Sequence, residues 1–263
     1  MKLLKFFSEG KTRWGAFEEN RIYEIFNPLR MEKTGREFDN YELMTPFFGT
    51  KVICLGLNYE SHVEENRTEK PKGPILFSKA ISSITAHDSR VVKPEIVKEL
   101  DYEAELAFVI GRKARDVPQR DAYEHIIGYT IVNDVSARDL QFGDKQWFRG
   151  KSCDTFCPMG PWIVDKNEIE DPMDLRIGMR VNGEVRQSAS TKEMIFDIPH
   201  ILEYITKTMT LMPGDVVATG TPAGVGAFRD PPLFLEDGDL MEAEIERIGV
   251  LRNRVAYTTQ TVK

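Results

Sequence analysis

The residues with most chemistry to offer lie in one stretch. Residues 100–110 read Leu-Asp-Tyr-Glu-Ala-Glu-Leu-Ala-Phe-Val-Ile. The apolar, partly β-branched second half, closed by Gly111, predicts a strand. Side chains alternate along a strand, so Glu103 and Glu105 share one face with no basic residue between them. Like charges this close need a proton or a cation between them. A second apolar run, residues 128–133, ends at Asp134 and is a candidate to bring a third carboxylate to the same place. Three hard oxygen ligands suit Mg²⁺ or Mn²⁺ and leave coordination positions for water and substrate. The alternative is plainer: Glu103 and Glu105 line the solvent face of an edge strand.

Other groups could join such a centre. Residues 60–70 are almost free of apolar side chains and stop at Pro71; they read as a short, exposed helical lid. On a helix His62 and Glu65 stand at i and i+3 and can meet, and a carboxylate beside an imidazole fixes its tautomer and suits it to act as a general base. The alternative is a solvated helix with an incidental histidine. Lys151 sits in Gly150-Lys151-Ser152, but Lys145 stands where a phosphate-binding loop needs its first glycine. Lys151 therefore reads as a single cation, able to bind a carboxylate or an oxyanion, or as a surface lysine. Residues 220–226, Gly-Thr-Pro-Ala-Gly-Val-Gly, follow a short strand. Such a loop lets backbone N–H groups approach an anion, and without a following helix it is no dinucleotide fingerprint.

Composition narrows the partners. The 263 residues are 41% hydrophobic and 29% charged, with a net charge of −7. That balance builds a globular core and argues against nucleic-acid or anionic-membrane partners. No apolar run approaches the ~18 residues of a membrane span, and the N-terminus lacks a signal-peptide core, so the expected location is the cytoplasm. Cys54, Cys153 and Cys157 form no zinc or disulfide pattern and read as free thiols.

The elements that must position these groups are mostly strands, and the expected fold class is mainly β (α+β). Residues 1–48 predict a small β-rich N-terminal domain, and residues 49–263 the main domain. A strand at 51–56 precedes the lid, and a further one delivers Lys79. Residues 175–188 alternate around Asn182-Gly183, a type I′ hairpin. Asp116 is placed to cap a helix from Pro118 that turns Ala122, Ile126 and Ile127 inward. Asp197 caps the one long helix, with Ile198, Ile201, Leu202, Ile205 and Met209 inward.

Several motifs together resemble the fumarylacetoacetate hydrolase family. They are Asn58-Tyr59-x-x-His62-x-x-Glu65, Asp101-Tyr102-Glu103-Ala104-Glu105-Leu106, Gly128-Tyr129-Thr130 continuing to Asn133-Asp134-x-Ser136-Ala137-Arg138-Asp139-x-Gln141, Gly150-Lys151-Ser152, and Thr219-Gly220-Thr221-Pro222-x-Gly224-Val225-Gly226. They occur in the family's order across residues 51–256. The resemblance implies a mixed β-sandwich roll, usually a homodimer, with a divalent metal at the bottom of a cleft: Mg²⁺ or Mn²⁺, with Ca²⁺ as a bound substitute. It implies that Glu103, Glu105 and Asp134 are the metal carboxylates, Lys151 the lysine beside the metal, and His62 with Glu65 the catalytic lid pair. Arg138, Gln141 and Thr221 fall on substrate-side positions, and Lys79 on a substrate-carboxylate position. Residues 55–58 lack the extra aspartate of the long-chain members, which implies a short-form, acylpyruvase-like member.

The expected substrate is a 2-oxo, β-dicarbonyl carboxylic acid. The metal polarises it as a Lewis acid and stabilises the enolate formed when the adjacent C–C bond breaks. The lid pair, read as activating water, favours acylpyruvate-type hydrolysis or oxaloacetate-type decarboxylation. Isomerisation of 2-hydroxyhepta-2,4-diene-1,7-dioate in aromatic catabolism is the alternative, and a non-catalytic metal or oxo-acid binding protein is the alternative of another class.

Overall fold

The computed structural model describes residues 1–258. Among these residues strands dominate, and a 12-stranded mixed sheet forms the frame. It runs from Lys2–Ser8 through Cys157–Asp165, Ile126–Asn133, Ala104–Ile110, Val216–Ala218 and Val52–Gly56 to the end strand Ile75–Lys79. The N-terminal strands Lys2–Ser8, Lys11–Glu18, Arg21–Ile25 and Lys33–Phe38 are hydrogen-bonded into this sheet through the pairing of Leu3 with Ile163. A five-stranded sheet, in the order Glu184–Ser190, Arg176–Val181, Leu240–Ile245, Gly249–Tyr257, Arg90–Lys93, packs on the frame.

The strand Ala104–Ile110 lies in the middle of the frame and is buried along its whole length. Leu106, Phe108 and Ile110 face the core shared with the five-stranded sheet, including Met179, Met241 and Ala243. Ala107 and Val109 face the opposite way, toward Leu3, Val52, Cys54 and Cys157. A central strand covered on both faces has no solvent side, so the edge-strand reading of Glu103 and Glu105 fails. This strand pairs antiparallel with Ile126–Asn133, Ala104 opposite Asn133. That register sets Glu103 beside Asp134, whose N–H donates to the Glu103 carbonyl at 2.9 Å.

The hairpin at Asn182-Gly183 forms with both residues at positive φ, 52° and 82°, as a type I′ turn requires. The helix Ile198–Thr206 is capped by Asp197, which accepts from the His200 N–H at 2.8 Å. It buries Ile198, Ile201, Leu202 and Ile205, but it ends before Met209, which is 36% exposed. The helix expected after Pro118 is a 3₁₀ segment, Gln119–His125, and Asp116 does not cap it. Ile126 and Ile127, β-branched, start the neighbouring strand instead. No described helix is long and apolar enough to cross a membrane.

Asn58 locks the chain just before the His62 helix. It is fully buried and donates to the Phe196 carbonyl at 3.0 Å and the Thr219 carbonyl at 2.8 Å, while its Oδ1 accepts from the Phe196 N–H at 2.8 Å. Replacing it strands buried backbone groups. Asn58→Ala is expected to lower stability by about 2–3 kcal/mol, read as a lower urea midpoint at unchanged slope.

Candidate active site

Glu103, Glu105 and Asp134 meet with ligand atoms within 4.8 Å of one another and all three side chains buried, and Glu103 lines a pocket. Three cations hold them. Lys151, fully buried, donates to Glu103 Oε2 and Asp134 Oδ2, both at 2.8 Å. Arg138 pairs with Glu103 Oε1 at 2.8 Å. Lys79 binds Asp134 Oδ1 and donates to the Val135 carbonyl at 3.2 Å. Two short helices, Arg138–Gly143 and Phe148–Lys151, carry Arg138 and Lys151. They pack so closely that a Cβ on Gly150 would stand 2.6 Å from the Gln141 nitrogen.

The electrostatics separate the acids. Burial alone would raise Glu103, but Lys151, Arg138 and His62 outweigh it and hold its pKa down to about 2. Glu105 goes the other way: burial, then Asp134, then Glu103 push it well above the usual carboxylate range. Its Oε2 accepts from the Gly220 N–H at 2.9 Å, but its Oε1 is buried with no partner. Burial opposes the charge on Lys151, yet Asp134 and Glu103 raise its pKa. This set fits a hard divalent cation: the donors are all carboxylate oxygens, and one buried oxygen has nothing else to bind.

Above the floor stands the His62–Glu65 pair. The helix Glu60–Glu65 is docked rather than exposed, with His62 and Val63 buried; the solvated lid expected from its polarity is corrected on this point. Val63 enters the core, and the Tyr59 backbone bridges to Met194. His62 Nδ1 meets Glu65 Oε2 at 3.1 Å, and Glu65 Oε1 accepts from the Gly224 N–H at 2.9 Å. In the neutral tautomer that donates Nδ1–H to Glu65, Nε2 is the acceptor.

The glycine-rich loop uses its N–H groups on anions of the protein itself. Gly220 serves Glu105, Gly224 serves Glu65, and Gly226 and Ala227 serve Asp101 at 2.7 and 3.0 Å. Its expected approach to an external anion is thus replaced by internal carboxylates. Asp101 was not singled out from the sequence, although it stands in the same Asp-x-Glu-x-Glu run. Fully buried, it also accepts from Arg138 Nε at 2.9 Å.

The pocket is lined by His62, Glu103, Arg138, Gln141, Lys151 and Thr221, together with apolar walls. Gln141 accepts from Arg138 at 2.9 Å, which leaves its amide NH₂ for a ligand. The Thr221 hydroxyl donates to the Ala104 carbonyl at 2.9 Å and accepts from Gln187 at 2.7 Å, so it faces a ligand as an acceptor. Lys79 is buried beside Asp134, with its ammonium on that carboxylate. The sequence reading also missed Phe77, Phe142, Trp147 and Phe228, which form the aromatic wall. The signal available for Trp147 was Gly56 at a strand end, where a Cβ would overlap the indole.

The family model for the C-terminal domain of fumarylacetoacetate hydrolase matches residues 51–256. The chain belongs to the fumarylacetoacetate hydrolase family. It is 48% identical over 207 residues to human oxaloacetate tautomerase FAHD2A, a match covering 78% of this chain and 66% of that protein. The solved 5-carboxymethyl-2-hydroxymuconate delta-isomerase from Mycobacterium smegmatis superposes with a TM-score of 0.89 at 39% identity, over 98% of this chain and 100% of that one. The 2-hydroxyhepta-2,4-diene-1,7-dioate isomerase from Mycobacterium marinum gives 0.88 at 38% identity, over 99% and 100%. The chain is therefore an enzyme of this family with its mainly β fold, and its buried acidic triad matches the divalent-metal chemistry expected there.

Because burial and its acidic neighbours raise the Glu105 pKa, a cation binding there competes with a proton. Mn²⁺ or Mg²⁺ binding is expected to release a proton and to weaken as the pH falls. Calorimetric titrations in two buffers of different ionisation enthalpy read the release directly. Glu105→Gln should bind the cation more weakly and lose the release; a proton count of zero for the unmodified protein contradicts the assignment.

Proposed function

We propose that the chain interconverts the keto and enol forms of a 2-oxo acid bearing a second carbonyl at C4, using a divalent cation. The observation that carries this reading is the His62–Glu65 pair, whose imidazole shares the pocket with Glu103 and Lys151. A divalent cation held by Glu103, Glu105 and Asp134 supplies a Lewis acid for the substrate's 2-oxo oxygen. His62 Nε2 takes a proton from C3, the C–H electrons form the C2–C3 double bond, the C2=O π pair moves onto the oxygen, and a proton from solvent on that oxygen completes the enol. Glu65, fixed by the Gly224 N–H, holds Nδ1–H and stabilises the imidazolium that results. Lys151 keeps positive charge beside the developing enolate oxygen. Arg138 and Gln141 face the substrate's carboxylate. The names of the tautomerase and isomerase relatives support proton transfer of this kind.

The same base position serves C–C bond hydrolysis or decarboxylation if water reaches it. Phe142 at the pocket mouth is 59% exposed, which favours keeping that as the second reading. A homodimer with Mg²⁺ or Mn²⁺ bound is the proposed working form.

Oxaloacetate and acetopyruvate, supplied as enols with Mg²⁺ or Mn²⁺, separate the readings. Loss of enol absorbance without release of CO₂, or of acetate and pyruvate, is the expected result. Cleavage products at the same rate favour the second reading. Binding without either change leaves a non-catalytic protein. His62→Ala is expected to slow turnover ~10²-fold or more while cation affinity stays unchanged; undiminished turnover removes His62 from the chemistry.

A further inference from the structure

Gln187 belongs to the five-stranded sheet, yet its buried side chain reaches the strand that carries two of the acids. Ala104 stands between Glu103 and Glu105. The neighbouring strand Val216–Ala218 pairs with Ala107, Phe108 and Val109, so Ala104 lies beyond its end. Two side chains take the place of that strand. Gln187 Oε1 accepts from the Ala104 N–H at 3.0 Å, and the Thr221 hydroxyl donates to the Ala104 carbonyl at 2.9 Å. Gln187 Nε2 closes the ring, donating to Thr221 Oγ1 at 2.7 Å and to the Pro222 carbonyl at 2.8 Å. Backbone groups fix every direction in this ring. An N–H only donates and a carbonyl only accepts, so the amide has one orientation.

A bulge aims Gln187. Between the strands Arg176–Val181 and Glu184–Ser190, Arg180 stands opposite Val185 but Met179 stands opposite Gln187, which leaves Arg186 as the extra residue. Regular alternation from the exposed Val185 would turn Gln187 outward. The extra residue turns it inward, beside the core residue Met179. The Arg186 carbonyl accepts from Arg229 at 2.7 Å, and a Cβ on Gly224 would stand 2.1 Å from it, so the glycine-rich loop is seated on the bulge. The other side of the acid pair is held too, since the Glu103 N–H donates to Asn133 Oδ1 at 3.0 Å.

We propose that Gln187 is a positioning residue: acting through Ala104, it fixes the bite of Glu103 and Glu105 and so selects a small cation over a large one. The proposal rests on the reading of these acids as cation ligands. Mg²⁺ takes oxygens at ~2.0–2.1 Å in a rigid octahedron, whereas Ca²⁺ takes them at ~2.3–2.6 Å in flexible arrangements. Two ligands on a clamped backbone suit the first, and two ligands free to spread admit the second.

Calorimetric titration of Mg²⁺ and of Ca²⁺ into the metal-free full chain reads the two dissociation constants. Gln187→Met keeps the bulk and loses the hydrogen bonds. Gln187→Glu keeps an acceptor for the Ala104 N–H and loses the amide hydrogens. Each is expected to lower the ratio of the Ca²⁺ constant to the Mg²⁺ constant severalfold, Gln187→Met more. Asp197→Ala, which uncaps a helix carrying none of the three acids, should leave the ratio unchanged. A ratio unmoved in both Gln187 variants, a ratio lowered equally by Asp197→Ala, or no binding of either cation by the unmodified protein overturns the proposal. Failure of the tautomerase reading shows separately, as unaccelerated enol loss in protein whose cation ratio still responds to Gln187.

Discussion

Gathering three carboxylates in a buried space is the constraint that shapes the surroundings. Neighbouring antiparallel strands deliver them, and the alignment of Ala104 with Asn133 fixes their spacing. Left alone the cluster would repel itself, so cations come from three separate elements: Lys79 from a strand end, and Arg138 and Lys151 from two short helices. The compensation is uneven. Glu103 has two cationic partners, whereas Glu105 has a single backbone N–H and an orphaned oxygen. That imbalance marks where an external charge belongs, since a fully neutralised cluster would have no need of one.

A second chain of contacts carries the histidine. The loop that supplies Gly220 to Glu105 also supplies Gly224 to Glu65. One backbone segment thus binds both the floor, through Glu105, and the base's partner Glu65, and so links their positions. This suits proton transfer, where sub-ångström placement governs rate.

Much of this was legible in the sequence because it is written locally. The Glu103–Glu105 spacing, the His62–Glu65 spacing, the Asn182-Gly183 turn and the Asp197 cap each depend on neighbours within a few residues. The Ile198–Thr206 stripe was read correctly up to Ile205 and overrun at Met209, because periodicity does not mark where a helix stops. What was illegible depends on distant partners. Nothing near Lys79 announces that it turns to Asp134, 55 positions away. The glycine-rich loop was read as approaching an external anion, but its N–H groups are taken by the carboxyl groups of Glu105, Glu65 and Asp101. Trp147 escaped notice because its seat is an absent side chain on Gly56. The polar sequence of residues 60–70 concealed the burial of His62, which follows from the packing of Val63 and the anchoring of Asn58.

Asp101 has a mechanical consequence. Its two oxygens tie Arg138, on the floor, to Gly226 and Ala227, the turn that leads into Phe228 at the mouth. Floor, loop and one aromatic wall are therefore joined into a single stiff body by buried, charge-assisted bonds. The helix bearing His62 joins the same body through Glu65 on Gly224, Ser61 on Ala223 at 3.4 Å, and Asn58 on Phe196 and Thr219. The base therefore stands on the same framework as the floor it serves.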